Sequence, residues 1–291
     1  MIVADPAEQL ATAASGNAAP YRLGVALSGG GARGLAHAGA LMAIEEAGLK
    51  PDVIAGVSAG SVIAVLYAGG VAPLQMAELF AGTGFRDFAE LALGHGGIFK
   101  IERFMDFVLK TLDGRDRLEQ LDIPVYIGAT DLAAGRPVAF SEGLIGPRLM
   151  ASCSIPIVFA PVEIDGVPYV DGGVLRNHPA WILRPRCETL IGVNVSPLQQ
   201  KKKYKSVIDV ALRTYNLMAK ANQSTDMELC DVSVETPEIA GMAVFDLKNI
   251  KKVFISGYVH MRAALKAAGL WQPGAVPAAT KPETPQKYVE E

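Results

Sequence analysis

The run DVIAGVSAGSVIAVLYAGG, from Asp52 to Gly70, holds two apolar stretches joined at Gly56-Val57-Ser58-Ala59-Gly60. Val53-Ile54-Ala55 predicts a buried strand, and the apolar run continuing through Tyr67 predicts a buried helix. Between them the flanks of Ser58 are almost bare backbone, the pattern G-x-S-x-G. Small residues at Gly56 and Gly60 let the chain turn sharply enough to lift one serine hydroxyl out at a helix N-terminus, a nucleophile elbow. The positive end of the helix dipole and its free N–H groups favour an alkoxide and the oxyanion that follows it. Two plainer readings compete. Ser58 could be an ordinary N-cap, and the 19 uncharged residues from Val53 to Val71 have the length of a membrane span. Four glycines, two serines and no aromatic belt within that run argue against lipid.

Upstream, Tyr21–Leu27 (YRLGVAL) reads as a first strand and runs into Ser28-Gly29-Gly30-Gly31-Ala32-Arg33-Gly34. A helix, LAHAGALMAIEEAG, follows and stops at Gly48 with Pro51 beyond. Strand, glycine loop, helix and strand make a βαβ unit, which predicts a parallel sheet buried on both faces. Gly29, Gly31 and Gly34 also spell G-x-G-x-x-G, so a dinucleotide-binding module with Asp52 on a ribose is the non-enzymatic rival. Asp52, however, begins its strand, whereas the ribose acid of that pattern ends one. Consecutive glycines whose N–H groups converge on one small anion fit a tetrahedral intermediate above Ser58 better.

Downstream, Pro73 to Gln120 carries apolar residues at helical spacing, punctuated by Gly82, Gly84, Gly94, Gly96 and Gly97, and predicts a helical cover with His95 in a loop. PVYIGATDL and RPVAFSEG predict a hairpin, a short helix is expected around Leu149, and VEIDGVPYV predicts a second hairpin turning at Asp165-Gly166 and leading to Asp171-Gly172-Gly173. ETLIGVNV and DVSVE read as strands. One helix should present Ile208, Leu212, Tyr215 and Met218 on a single face, and a last helix from about Leu247 to Ala268 should use Ile250, Val253, Phe254, Met261 and Leu265.

Of 291 residues half are apolar, a fifth are charged and 30 are glycine, which suits a thick core with many tight turns. The net charge of −3 offers no basic field for nucleic acid. Cys153, Cys187 and Cys230 are scattered and odd in number, so buried free thiols are expected rather than a disulfide framework, and no clustered ligand spacing suggests a metal. Residues 1–20 lack the basic start and apolar core of a signal peptide and read as a flexible leader; 271–291, rich in proline and charge, read as a disordered tail. With no transmembrane segment expected, a cytoplasmic or membrane-peripheral location follows. Residues 21–270 are expected to form one domain. Lys201, Lys202, Lys203 and Lys205 stand at a helix start, where an outside anion such as a lipid surface could offset their conflict with the dipole.

The segments SGGGARGLAHAG, GVSAGS, LDIPVYIGATDLAAGRPVAFSEG, ASCSIP and VDGGVLRN, in that order, resemble the patatin-like phospholipases. The resemblance implies a three-layer α/β/α sandwich with a mostly parallel central sheet and a lipid or other ester substrate. It also implies a Ser-Asp dyad working through an acyl-enzyme without a cofactor. Ser58 would be the nucleophile and Asp171 its base, with Gly172 and Gly173 supporting the turn. The loop Gly29, Gly30, Gly31, Ala32, Arg33 and Gly34 would supply the oxyanion hole, steadied by Arg33. An ordinary aspartate, with a pKa of about 3.9, is a feeble base at neutral pH, so Asp171 must be desolvated to serve. A Ser-His-Asp hydrolase with His178 and Asp131 is the alternative enzyme, although only one clear strand precedes Ser58. His37 is expected to be a packed, hydrogen-bonded histidine.

Overall fold

The computed structural model describes residues 2–3, 19–81, 90–91, 97–200, 202–243 and 246–272. The leader between 4 and 18, the tail from 273, His95, Lys201 and the glycine-rich part of the cover at 82–89 and 92–96 lie outside the described residues.

After a two-residue strand β1 (Ile2–Val3), strand β2 (Tyr21–Leu27) leads through a 3-10 turn at Gly31–Gly34 into helix α1 (Leu35–Glu46). Strand β3 (Val53–Val57) leads through the single residue Ser58 into α2 (Ala59–Ala68). Gly48 stops α1 with φ 77°, so that Leu49 N–H reaches Ile44 O at 3.1 Å and Gly48 N–H reaches Glu45 O at 2.9 Å. That geometry satisfies carbonyls the last turn would leave open, and only glycine enters it without a Cβ penalty. The uncharged run is therefore a short strand and a ten-residue helix, both packed inside. No helix among the described residues is long and apolar enough to cross a membrane.

The main sheet runs β1-β7-β6-β3-β2-β11-β12, where β6 is Val125–Asp131, β7 Arg136–Phe140, β11 Cys187–Asn194 and β12 Val232–Glu235. Strands β6, β3, β2, β11 and β12 are parallel to one another. One face sends Leu23, Val25, Leu27, Ile54, Ile191 and Val193 into a core shared with α1, α2 and the last helix α8 (Ile250–Ala267). The other sends Ala26, Val53, Ala55 and Leu190 against α6 (Ala180–Leu183), a thinner layer. This is the three-layer α/β/α sandwich with a mostly parallel sheet. Helices α1 and α8 cross at Gly39 and Gly257, where a Cβ on either would collide with the partner's backbone at Phe254 O or Ala36 O. Tyr258 locks the crossing by donating to Glu46 Oε2 at 2.6 Å.

Three details depart from the sequence reading. Within the segment expected to be helical, Glu90–Leu91 (β4) and Gly97–Lys100 (β5) are strands, and β5 pairs in parallel with β8 (Ile157–Phe159). Glycine weakens a helix there, and a four-residue run with only Ile98 and Phe99 apolar fits either period. In α7 (Val207–Met227) Tyr215 faces inward with Ile208 and Leu212 half-buried, but Met218 faces outward and Ala219 takes the inner position. A 3.6-residue turn carries the inner stripe from Tyr215 to Ala219. The C-terminal helix begins at Ile250, three residues after the expected start.

Candidate active site

The pairing register brings Ser58 and Asp171 together. One edge of β6 pairs with β7 over Ile127 to Asp131. On its other edge Gly128 pairs with Val57 of β3, and the next residue, Ala129, pairs with Asp171 of β10 (Val167–Asp171). Strand β3 arrives parallel to β6 and β10 arrives antiparallel, so their last residues meet end to end. The chain leaves that meeting point as Ser58 on one side and Gly172 on the other. A Cβ on Gly172 would lie 2.8 Å from Gly128 O and 3.1 Å from a Val57 methyl, so only glycine lets the two ends close up.

Ser58 has φ 52° and ψ −126°, a conformation that costs a non-glycine residue about 1–3 kcal/mol. Its surroundings enforce it. Ser58 N–H donates to Ser152 Oγ at 2.8 Å, and Ser152 Oγ donates to Gly128 O at 2.7 Å. Ser58 C=O accepts from Ser61 N–H at 2.9 Å and from Ser61 Oγ at 2.6 Å. A Cβ on Gly56 would run into the Gly60 carbonyl, and one on Gly60 into the Leu27 and Ser28 carbonyls, so the elbow has room for neither. The serine is 5% exposed and caps the positive end of α2.

Asp171 is fully buried. Its Oδ1 accepts from Gly173 N–H at 2.8 Å and from Tyr215 Oη at 2.9 Å. Oδ2 accepts no hydrogen bond of good geometry among the described residues, yet the Ser58 hydroxyl is near enough to favour the charged carboxylate. Burial pushes the carboxyl up to about 6, against the pull of Ser58, the Gly173 N–H and Tyr215. Tyr215, raised well above the ordinary phenol value by burial and by the Asp171 charge, stays a proton donor. The same burial, with Asp171 nearby, keeps the neighbouring Cys153 thiol protonated and so out of competition as a nucleophile.

The glycine loop lies against the elbow. A Cβ on Gly34 would sit 2.6 Å from Ala59 Cβ, and one on Gly29 would reach Ser58 Cβ at 3.2 Å. Gly29 N–H is already engaged with Asn177 O at 3.1 Å, so Gly29 offers close approach rather than a donor. Gly30, Gly31 and Ala32 stand at the start of the 3-10 turn, where first N–H groups have no partner inside the turn. Buried Arg33 ties the loop down through Gly30 O at 3.1 Å and Pro197 O at 3.3 Å, and burial lowers its pKa only to about 10, so it remains a cation. His37 Nε2 bonds Ser28 O at 2.8 Å, and burial holds its pKa near 4, a packed neutral histidine as expected.

The competing constellations do not assemble. Asp52 Oδ2 accepts the N–H groups of Arg22 at 3.0 Å and Leu23 at 2.8 Å, at the opposite end of the parallel strands from the glycine loop. His178 is buried against Gly192, with neither ring nitrogen partnered among the described residues, and burial lowers its pKa to about 3. Asp131 is occupied by Ala134 N–H at 2.9 Å and Arg136 Nε at 3.3 Å. Among the described residues no cluster of His, Cys, Asp or Glu could hold a metal. Three residues of the site carried no role in the sequence reading: Tyr215, Ser152 and Asn177. The last two stand inside ASCSIP and VDGGVLRN, which mark their neighbourhood but not their function.

A family model described as patatin-like phospholipase matches residues 25–184. An uncharacterized NTE family protein of Mycobacterium tuberculosis is 36% identical over 166 residues, 56% of this chain and 46% of that protein. Lysophospholipase NTE1 of Saccharomyces cerevisiae is 33% identical over 180 residues, 60% of this chain and 11% of that protein. The crystal structure of VipD from Legionella pneumophila overlaps 86% of this chain and 68% of its own, with TM-score 0.49 and 12% identity. The match spans under half of the mycobacterial relative and about a tenth of the yeast one. The family groups hydrolases acting on lipid ester bonds. With its model covering more than half of the residues, this chain belongs to the patatin-like phospholipase family.

Proposed function

We propose that the chain hydrolyses carboxylic esters of lipids through a Ser58 acyl-enzyme with Asp171 as general base. The observation that carries this reading is the end-to-end meeting of β3 and β10 beside β6, which leaves Asp171 Oδ2 without a donor next to Ser58. Oδ1 is saturated by Gly173 and Tyr215, so Oδ2 is the oxygen free to take the Ser58 proton. The Ser58 oxygen then attacks the ester carbonyl carbon, and the N–H groups of Gly30, Gly31 and Ala32 receive the charge that develops on the carbonyl oxygen. Collapse of this intermediate expels an alcohol, which takes the proton from Asp171. Water, deprotonated by the same carboxylate, releases the acid and restores Ser58. One carboxylate serving both steps suits alkoxide leaving groups, so esters should be strongly preferred over amides. Contact of the lysines at 201–203 and 205 with an anionic lipid surface belongs to the same reading.

No step in this scheme draws on a metal or an organic cofactor, so turnover of a short p-nitrophenyl ester and of a lysophospholipid should survive EDTA. Loss of activity in EDTA, restored by a divalent ion, would contradict the scheme. The pH dependence follows from the base. Below about 6 Asp171 is protonated and cannot accept the Ser58 proton. The value of kcat/KM should therefore rise about tenfold per pH unit up to that point and level off above it. A profile flat from pH 4 to pH 8 on a rate-limiting chemical step would exclude a base of this kind.

A further inference from the structure

Helix α7 turns Gln223 and Asp226 inward beside Leu212, Tyr215 and Ala219, and its outer face, where an ordinary surface helix is charged, is apolar. Tyr215, Gln223 and Asp226 are buried, and each holds the candidate base or the segment that follows it. Tyr215 donates to Asp171, Gln223 Oε1 accepts from Asn177 Nδ2 at 3.0 Å, and Asp226 pairs with Arg176. Asn222 Nδ2 adds a bond to Gly173 O at 3.1 Å. The outward side shows Val207 at 79%, Val210 at 49%, Leu217 at 48% and Met218 at 39% exposure. Thr214 and Ala221 complete this stripe at helical spacing, and it contains no charge. The charged residues of the same turns are engaged elsewhere. Asp209 Oδ2 accepts Lys205 N–H at 3.0 Å, Arg213 donates to Gln199 O at 3.1 Å, and Lys220 pairs with Glu235 at 3.1 Å. At the N-terminal end of the stripe Lys202, Lys203 and Lys205 are exposed, with Tyr204 among them.

An uncharged apolar stripe with cations at one end matches a helix lying in the headgroup region of an anionic bilayer. We propose that the outer face of α7, with Lys202, Lys203 and Lys205, docks on an anionic lipid bilayer and so sets Ser58 and Asp171 against the surface that holds their substrate. The apolar stripe alone would fit a second copy of the chain; the lysines select the anionic surface. The inference rests on the lipid-ester reading for its purpose, but its test reads binding without turnover.

The full chain is sedimented with sucrose-loaded vesicles of phosphatidylcholine, with and without phosphatidylglycerol. Wild type should pellet with the anionic vesicles, less so as salt rises. The triple variant Val207→Ser, Val210→Ser, Leu217→Ser should bind at least about tenfold more weakly, because three apolar side chains no longer leave water. Lys202→Gln, Lys203→Gln, Lys205→Gln should erase the preference for anionic over neutral vesicles. Circular dichroism and unchanged turnover of a short soluble ester by both variants would show that fold and site are intact. Wild type that ignores anionic vesicles would overturn the proposal, as would a triple variant that binds them equally. So would a wild-type dimer without vesicle affinity that the triple variant converts to a monomer, since the face would then belong to a second copy. Failure of ester turnover with vesicle binding intact would strike the hydrolase reading alone.

Discussion

Asp171→Asn is expected to lower kcat on a soluble ester by about 10²–10⁴-fold, the usual contribution of a positioned general base. The substitution keeps the acceptor for Gly173 N–H and Tyr215 and removes only the oxygen that would take the Ser58 proton. It should also make the protein more stable at neutral pH. An acid whose folded-state pKa is raised from 3.8 to about 6 stabilises the fold fully below 3.8 and loses that contribution as pH climbs through 6. At pH 7 to 8 the buried charge therefore subtracts on the order of 2–3 kcal/mol, at about 1.36 kcal/mol per pH unit between the two values. Asparagine carries no such charge, so urea unfolding at pH 8 should show a higher midpoint for the variant than for wild type, and the gap should close near pH 4. His178→Ala provides the contrast: it opens a cavity beside Gly192 but should leave kcat intact in the fraction that folds. An inactive, folded His178→Ala beside an active Asp171→Asn would favour a histidine-dependent triad instead.

Ser58→Ala should remove turnover down to the uncatalysed background, a loss of about 10⁴–10⁶-fold by analogy with other serine nucleophiles. Folding should be unaffected. The contacts that hold the elbow use the Ser58 backbone: its N–H to Ser152 and its carbonyl to Ser61. The hydroxyl itself faces Asp171 and the Cys153 thiol. Without it the carboxylate loses one of the groups that offset burial, so its pKa should rise further. Activity that persists in Ser58→Ala on a p-nitrophenyl ester would place the chemistry on another residue.

The parts of this site legible in the sequence are those where the backbone itself does the work. Gly56, Gly60, Gly34 and Gly172 stand where no Cβ fits, and such positions announce themselves as glycines in tight spacing. The βαβ reading from Tyr21 to Val57 rested on the same punctuation. Side chains that arrive from far along the chain left no such mark: Ser152 is 94 residues from the serine it holds, and Tyr215 is 44 residues from Asp171. By spacing Tyr215 belongs to the apolar face of its helix, because a phenol at helical spacing reads as core until its partner is known. The same spacing places Met218 inside, where the structure has it 39% exposed. In the C-terminal half of helix α7 the buried positions are Gln223 and Asp226, which hold the loop after Asp171, so hydrophobic periodicity places Ile208, Leu212 and Tyr215 inside but loses the face beyond Tyr215. Strands β4 and β5 escaped for a different reason, since runs of two and four residues are too short for any period to show.

The central claim is that Ser58 is a nucleophile activated by Asp171, and covalent capture tests it most directly. A fluorophosphonate probe, followed by intact-mass measurement and peptide mapping, should add one phosphonyl group at Ser58 in the wild-type protein. The same adduct should form far more slowly in Asp171→Asn and at an unchanged rate in folded His178→Ala. Wild-type protein that turns over esters while Ser58 stays unmodified, or labelling of Asp171→Asn as fast as wild type, would contradict it.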